Sequence, residues 1–378
     1  LRILIINHLN RWTAAKSYSI KQALWLGDRG HEVWYAEDPE NPVDDPRVQE
    51  LPADMRADFA RQALNKKKLL SNAKALARLV KEKQIDLIHT HLSVDHNMAL
   101  LARHLWRLNV PVFRTKHFLR PLVGGKRFDH RLKYSRLTAG TFTTCELIRR
   151  LLIEENGLSP DKVHALFEGV DCNRFRPDLP TDALEDEFAL RDAYPVIGIA
   201  ATLRPDKSHE TFLRAAALLA DRFPAARFLL IGRGETEYTE TLTRLIGELG
   251  LHGRAKITGH RSDIAALLAR VDLGMVCSVK SDAAGRVVSE WQAAGTPVVV
   301  TDIGAYPELI EPGRTGLVVP AQDPKAAADA VASLASSRER LGEMSQAARQ
   351  RAVDVLSREH FVDELDRHYR RAVAERET

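Results

Sequence analysis

The 378-residue chain is 44% hydrophobic and 28% charged, the balance of an ordinary soluble globular protein, and this length predicts two or three domains at about 100–200 residues each. No apolar run approaches the roughly 18–20 residues that span a bilayer. The three cysteines, Cys145, Cys172 and Cys277, stand singly, which excludes a disulfide framework or a cysteine zinc site and fits a reducing cytoplasm. A net charge of +4 hides an asymmetry: residues 1–178 carry 30 Lys and Arg against 21 Asp and Glu, and 12 of those basic residues lie between Leu101 and Arg150 against only Asp129 and Glu146. That excess is either a solvated basic face or a surface for something anionic: a phosphorylated glycan, a membrane surface or nucleic acid.

In chain order, Leu1–Ile6 reads as a first β-strand rather than a signal peptide, so a cytoplasmic location is expected, at most at the inner face of the membrane. Further strands are predicted at Glu32–Ala36, Asp86–His91, Pro111–Lys116, Thr141–Cys145 and Lys162–Phe167. Helical periodicity lies between them at Ser17–Asp28, Asp58–Glu82, Val94–Trp106 and Glu146–Asn156. The second half repeats the pattern, with strands at Pro195–Thr202, Ala226–Gly232, Ala255–Gly259, Leu273–Ser278, Pro297–Asp302 and Thr315–Pro320. Its helices are Glu210–Arg222, Glu237–Leu249, Ser262–Arg270 and Arg286–Ala294, and after Pro320 the chain is wholly helical through Asp323–Ala335, Arg338–Val355 and His360–Arg376. Strand–helix alternation of this kind means parallel sheets with helices on both faces: an α/β chain of two doubly wound halves. A linker is predicted in Arg174–Glu187, where two prolines and an acidic stretch interrupt the periodicity.

In doubly wound folds ligands bind beyond the carboxyl ends of the strands, so the loops there are the places to look for chemistry. Ala201-Thr202-Leu203-Arg204-Pro205-Asp206-Lys207 sets two cations three residues apart, suited to a diphosphate or merely exposed on a turn. Gly232-Arg233-Gly234 lets backbone approach a flat ligand, although tight turns need glycine anyway. The loop Ser278–Ala284 leads into a helix starting near Gly285, whose N-terminus presents unpaired N–H groups to a phosphate. Glu290 on that helix suits the two hydroxyls of a ribose, or simply complements the helix dipole, and Asp282 lies within reach of sugar hydroxyls. Gly295–Glu308 is a further strand, turn and helix. In the first half His89 and His91 share one strand face and His117 ends the next strand. A metal there would need a third ligand, for which Asp95 and His96 stand at no recognised spacing, so polar strand ends lining a cleft are the expectation. G-x-S-x-G, Walker A and a first-strand G-x-G-x-x-G are absent, removing the main support for hydrolase, kinase and dehydrogenase readings.

Taken together, Ile199–His209, the Asp282-to-Glu290 loop and helix, Gly295–Glu308, Glu311–Pro320 and the exit segment Phe167–Pro177 resemble the family 4 retaining glycosyltransferases, and within them enzymes of bacterial cell-surface glycan and lipopolysaccharide-core synthesis. The resemblance implies the GT-B fold: two Rossmann-like domains facing a central cleft, 1–178 for the acceptor and 179–357 for the donor, with a C-terminal helix (358–378) crossing back to the first domain. It implies that Lys207 neutralises the leaving diphosphate with Arg204 as partner, that Asp282 contacts the transferred sugar, and that His117 faces it near the anomeric centre. Gly232, Gly234, Gly285, Arg286, Val287 and Glu290 would bind the nucleotide, with Glu290 on the ribose, and Lys16 and Lys116 would stand on the acceptor side. Departures from the family pattern are Asp282 in place of Glu, Thr202 five residues before Lys207 where Arg is common, and the loop Asn10–Ser17 without the usual Gly-Gly. The implied reaction is retaining transfer from a nucleotide-diphospho-sugar, with no cofactor and no metal, to an anionic glycan or glycolipid, in peripheral contact with the inner membrane. The alternatives are a nucleotide-sugar epimerase of the same fold and, on the basic stretch with its interleaved aromatics, a nucleic-acid-binding protein. The Arg204/Lys207 and Asp282/Glu290 pattern favours transfer, and no nucleic-acid partner is expected.

Overall fold

A computed structural model describes residues 1–9, 13–37, 52, 55, 69–119, 122, 130–280 and 285–377. The chain divides into two compact units, Leu1–Glu168 with Phe361–Thr378, and Gly169–His360.

The first unit is built on β1 (Arg2–Ile6), β2 (Glu32–Ala36), β3 (Leu87–Thr90), β4 (Val112–Lys116), β5 (Gly140–Thr143) and β6 (Val163–Ala165). They form one sheet in the order β2-β1-β3-β4-β5-β6, parallel at every pairing. Strands covered on both faces read as continuous apolar runs, as in Ile3-Leu4-Ile5-Ile6, every residue fully buried. The helices are α1 (Ala14–Asp28), α2 (Leu69–Glu82), α3 (Ser93–Leu105) and α4 (Glu146–Glu154). Thr13 caps α1 by accepting from the Lys16 N–H at 3.3 Å. One sheet face packs Ile3, Ile5, Phe113 and Phe142 with Tyr18, Ala23 and Leu26 of α1. The other packs Leu4, Ile6, Ile88 and Val112 with Leu76 of α2 and Met98 of α3.

The second unit carries β7 (Val196–Ala200), β8 (Arg227–Ile231), β9 (Ala255–Gly259), β10 (Leu273–Val276), β11 (Val298–Thr301) and β12 (Gly316–Val319), ordered β12-β11-β10-β7-β8-β9. Its helices are α5 (Asp182–Glu187), α6 (His209–Arg222), α7 (Thr236–Glu248), α8 (Ile264–Arg270), α9 (Arg286–Ala293), α10 (Tyr306–Leu309), α11 (Pro324–Ala335) and α12 (Arg338–Val355). The last helix, α13 (Arg358–Glu377), sends Phe361, Leu365 and Tyr369 into the core of the first unit beside α1. The expected return of the C-terminal helix to the first half is therefore present.

All the expected strands form, most of them a residue or two shorter than their apolar runs. The expected Asp58–Glu82 helix is seen from Leu69, its earlier part lying outside the described residues. Two differences have physical causes. The unit boundary falls at Glu168/Gly169 rather than 178/179, because Val170 bridges to Ser357, and Arg349 donates to the carbonyls of Cys172 (3.1 Å) and Phe175 (2.8 Å). Within the expected linker Asp182–Glu187 is helical, with Leu184 buried and Glu185 accepting from Arg270 at 2.9 Å. A π-helical turn at Leu132–Arg136 was also not signalled by periodicity; Tyr134 is its buried residue.

Candidate functional site

The strand order places a topological switch point in each sheet, where the chain leaves opposite edges of neighbouring strands: β1/β3 in the first unit and β7/β10 in the second. Ligands of doubly wound sheets bind at the carboxyl ends there.

In the first unit, β1 runs out into Asn7 and His8. His8 Nδ1 lies 2.7 Å from Asp95 Oδ1, and the His8 N–H donates to Asp95 Oδ2 at 3.3 Å, both side chains wholly buried. Lys16, expected on the acceptor side, is turned inward: its fully buried ammonium donates to the Asn7 carbonyl at 3.0 Å, pairs with Glu37 at 2.7 Å and lies 5.3 Å from the Tyr35 ring centroid. Its charge is thus held by a carboxylate inside the fold.

His89, His91 and His117 form a stacked ladder, with centroids 5.0 Å apart for the first pair and 5.2 Å for the second. His89 and His91 share a face because they are two apart on one strand, and β4 brings His117 alongside. His91 Nδ1 is 2.9 Å from His117 Nε2, His89 Nε2 is 2.8 Å from Thr115 Oγ1, and Tyr18 meets the His91 and His117 rings edge-on. His89 Nδ1 faces the amide of Gln22 at 3.1 Å and the hydroxyl of Tyr369. Burial pushes His89 and His117 down to about 3, with Arg114 and Lys116 adding to it for His117, and takes His91 well below its ordinary value. The rings are therefore neutral. Asp95 and His96, considered as metal ligands, are engaged elsewhere: Asp95 by His8, and His96 by Thr90 Oγ1 at 3.0 Å and Thr138 Oγ1 at 2.8 Å. Lys116, beside His117, is 9% exposed.

In the second unit, the loop after β7 carries Arg204 and Lys207 on a 3-10 turn, Pro205–Lys207. Arg204 is exposed, and its fork grips Asp206 at 2.8 and 3.0 Å, so any anion there would draw the fork from a carboxylate. The Val279 N–H donates to the Asp206 carbonyl at 3.0 Å, tying the loop after β10 to the loop after β7. Gly232 and Gly234 have a backbone reason to be glycine: a Cβ on Gly232 would lie 2.0 Å from the Ala201 carbonyl oxygen, and one on Gly234 would lie 2.4 Å from that of Leu203. The two loops run side by side through the Leu203–Gly234 bridge.

Gly285, with φ +55°, leads into α9. Val288, Ser289 and Trp291 face inward from that helix, while Arg286, Val287 and Glu290 are half-buried, with Arg286 Nε 3.7 Å from Glu290 Oε1. These three positions lie on the outer side of the first turns, where a helix N-terminus favours an anion. Asp282 lies outside the described residues.

Sequence reading passed over Arg114, a cation inside a buried strand, and the His8–Asp95 pair. The run Val112-Phe113-Arg114-Thr115-Lys116 contained the signal, because a charge in the middle of a buried parallel strand demands an explanation.

Comparison with known proteins fits this geometry. The family description Glycosyltransferase Family 4 matches residues 17–174, and Glycosyl transferases group 1 matches residues 181–351. A D-inositol 3-phosphate glycosyltransferase of Saccharomonospora viridis is 30% identical over 313 residues, 76% of this chain and 70% of that one. One of Corynebacterium glutamicum is 28% identical over 281 residues, covering 68% of this chain and 66%, just under two thirds, of that relative. Among solved structures, a glycosyltransferase from Rickettsia africae superposes with a TM-score of 0.85 at 22% identity, over 98% of each chain. Anabaena Alr3699/HepE in complex with UDP-glucose superposes with a TM-score of 0.74 at 19% identity, over 97% of this chain and 98% of that one. Both share the fold.

Proposed function

Because the chain belongs to glycosyltransferase family 4, with a group 1 glycosyl transferase domain in its second half, we propose that it moves a sugar, with retention and without a metal, from a nucleotide-diphospho-sugar to an anionic glycan or glycolipid acceptor. The observation that carries the donor half is the outer side of α9, where Arg286, Val287 and Glu290 stand together beyond β10 at the switch point. A diphosphate set there meets the helix N-terminus, with Lys207 and Arg204 on the neighbouring loop to balance its charge. Glu290, next to that anion, accepts from ribose hydroxyls. Uridine is the first base to test, since a protein of the same fold is seen with UDP-glucose.

Leaving-group stabilisation and positioning supply the catalysis in this scheme. The resemblance assigns the transferred sugar to Asp282 and His117, and a neutral His117 exchanges hydrogen bonds with a sugar hydroxyl without adding positive charge. The acceptor side rests on the basic excess of residues 1–178. Among the described residues no helix is long and apolar enough to cross a membrane.

The test is a thermal-shift screen with UDP, GDP, ADP and their sugars, run on the unmodified chain and on Glu290→Ala. A ligand at about 100 times its Kd stabilises by about 2.7 kcal/mol. One nucleotide family should stabilise the unmodified chain and lose that effect in the variant. Silence toward every nucleotide would sink the donor assignment. Conversion of donor to an epimer without acceptor would assign the epimerase chemistry instead.

A further inference from the structure

The middle of β4 holds a cation that meets no carboxylate among the described residues. Arg114 is 3% exposed, on the same face of the strand as Val112 and Lys116. Its Nη2 donates to Ser93 Oγ at 2.9 Å, its guanidinium carbon lies 4.9 Å from the Tyr134 ring centroid, and its buried Nε has no partner. Lys133 shares the same ring, its ammonium 4.7 Å from the centroid, and donates to Asn97 Oδ1. Among the described residues neither cation meets a carboxylate; the acid in the first turn of α3, Asp95, is held by His8.

The charge acts on the groups around it. After burial, Arg114 is the next largest influence lowering His96 and His117. Burial alone would raise the Tyr134 phenol, yet Arg114 and Lys133 bring it below its ordinary value. Holding a guanidinium in the interior, within reach of a second cation, is unfavourable unless an anion completes the set. Ser93 and Asn97 are exposed, so the cluster opens to solvent at the carboxyl ends of β3 and β4, where doubly wound sheets bind ligands.

We infer that Arg114, Lys133, Ser93 and Asn97 form a seat for one phosphate monoester, and that this phosphate belongs to the acceptor. The assignment to the acceptor rests on the transferase reading above; the seat itself does not. A phosphate suits the set because an arginine fork and a lysine point charge match its oxygens, with the Ser93 hydroxyl and the Asn97 amide as neutral partners. A single arginine buried beneath two short polar side chains fits one phosphate group better than the strung phosphates of a nucleic acid. The phosphate's source is either a soluble sugar phosphate or a lipid headgroup.

The experiment measures thermal stabilisation of the full chain by glucose 6-phosphate, with glucose and chloride at matched ionic strength as controls. Sedimentation with phosphatidylcholine vesicles, with and without phosphatidate, distinguishes the lipid source. Arg114→Gln removes the central group but risks the fold, so Lys133→Gln, at a half-buried position, is run beside it, and UDP is a parallel arm for both. The expected result is a response to glucose 6-phosphate, or to phosphatidate, that weakens about tenfold or more in Lys133→Gln while the UDP response stays unchanged. Equal responses to glucose and glucose 6-phosphate with no phosphatidate dependence would overturn the seat, as would a phosphate response indifferent to Lys133→Gln. A phosphate response lost in Lys133→Gln from a chain that ignores UDP would uphold the seat and remove the transferase reading.

Discussion

His91 Nδ1 and His117 Nε2 lie 2.9 Å apart between stacked rings at the ends of neighbouring strands, both side chains buried. Burial leaves the rings neutral, so one hydrogen is shared between these two nitrogens. His91 Nε2 is buried without a partner, and an orphaned acceptor is tolerated better than an orphaned N–H. The hydrogen therefore sits on His91 Nδ1, and His117 carries its own on Nδ1. In the proposed transfer His91 thereby acts as a positioning residue for His117. His91→Phe keeps the stack and removes the hydrogen bond, and should lower kcat by roughly tenfold, the worth of one hydrogen bond, with donor KM little changed. His91→Asn, which can still donate, should recover most of the loss. Steady-state kinetics of the two variants check it; equal damage in both would make His91 a packing residue only.

The same ladder predicts acid sensitivity. His89 and His117 are pushed down to about 3, chiefly by burial, and His91 and His96 lie well below their ordinary value. An unfolded histidine titrates near ~6.5, so between that pH and the folded values the unfolded chain binds more protons. Stability is complete above about pH 6.5 and falls as pH drops toward the folded values. Urea midpoints should be level from about pH 8 to 7 and decline steeply by about pH 4.5. His89→Gln should flatten part of that decline. A midpoint unchanged at the lower pH would mean that the histidines are charged or exposed.

How much of this was legible in the sequence depends on the kind of interaction. The strands were legible because parallel strands buried on both faces are written as β-branched runs, Val298-Val299-Val300 among them. The α9 side was legible because Arg286, Val287 and Glu290 follow helical spacing after a glycine. Direction was not. Lys16 reads as a cation near a loop, and only Glu37, contributed by the end of the next strand, turns it inward. Arg114 reads as polar punctuation in a strand until Tyr134, twenty residues later in an aperiodic turn, shows which face it occupies. The glycines of Gly232-Arg233-Gly234 were visible, but their backbone reason lies in the loop of Ala201 and Leu203, far earlier in the chain.

That reason makes a sharp stability prediction. Gly232 sits at φ +151°, and a Cβ there would stand 2.0 Å from the Ala201 carbonyl oxygen, a backbone atom that yields only if both loops move. Gly232→Ala should destabilise the second unit by more than about 2 kcal/mol, beyond the ordinary range for a surface substitution. Gly313→Ala is the control, since Gly313 also has a positive φ, +81°, but open space around it. Urea denaturation should show the larger loss at Gly232. Equal losses would assign the whole effect to backbone conformation and none to the close approach.

The C-terminal helix makes the last prediction, because its anchoring residue reaches the histidine ladder. Tyr369 is fully buried, its ring centroid 5.0 Å from that of Phe113, and its hydroxyl accepts from Gln22 Nε2 at 2.8 Å beside His89 Nδ1. Tyr369→Phe leaves the ring in place and removes the polar contact, and should cost about 1 kcal/mol. Tyr369→Ala also opens a cavity against α1 and the sheet, and should cost about 3–5 kcal/mol. Loss of the hydroxyl removes its contact with His89 Nδ1, so Tyr369→Phe should also shift the His89 ring resonances in an NMR spectrum. Urea denaturation ranks the two variants. If Tyr369→Ala were as stable as Tyr369→Phe, the aromatic ring would contribute nothing, and α13 would be held by its other core residues, Phe361, Val362, Leu365 and Val373.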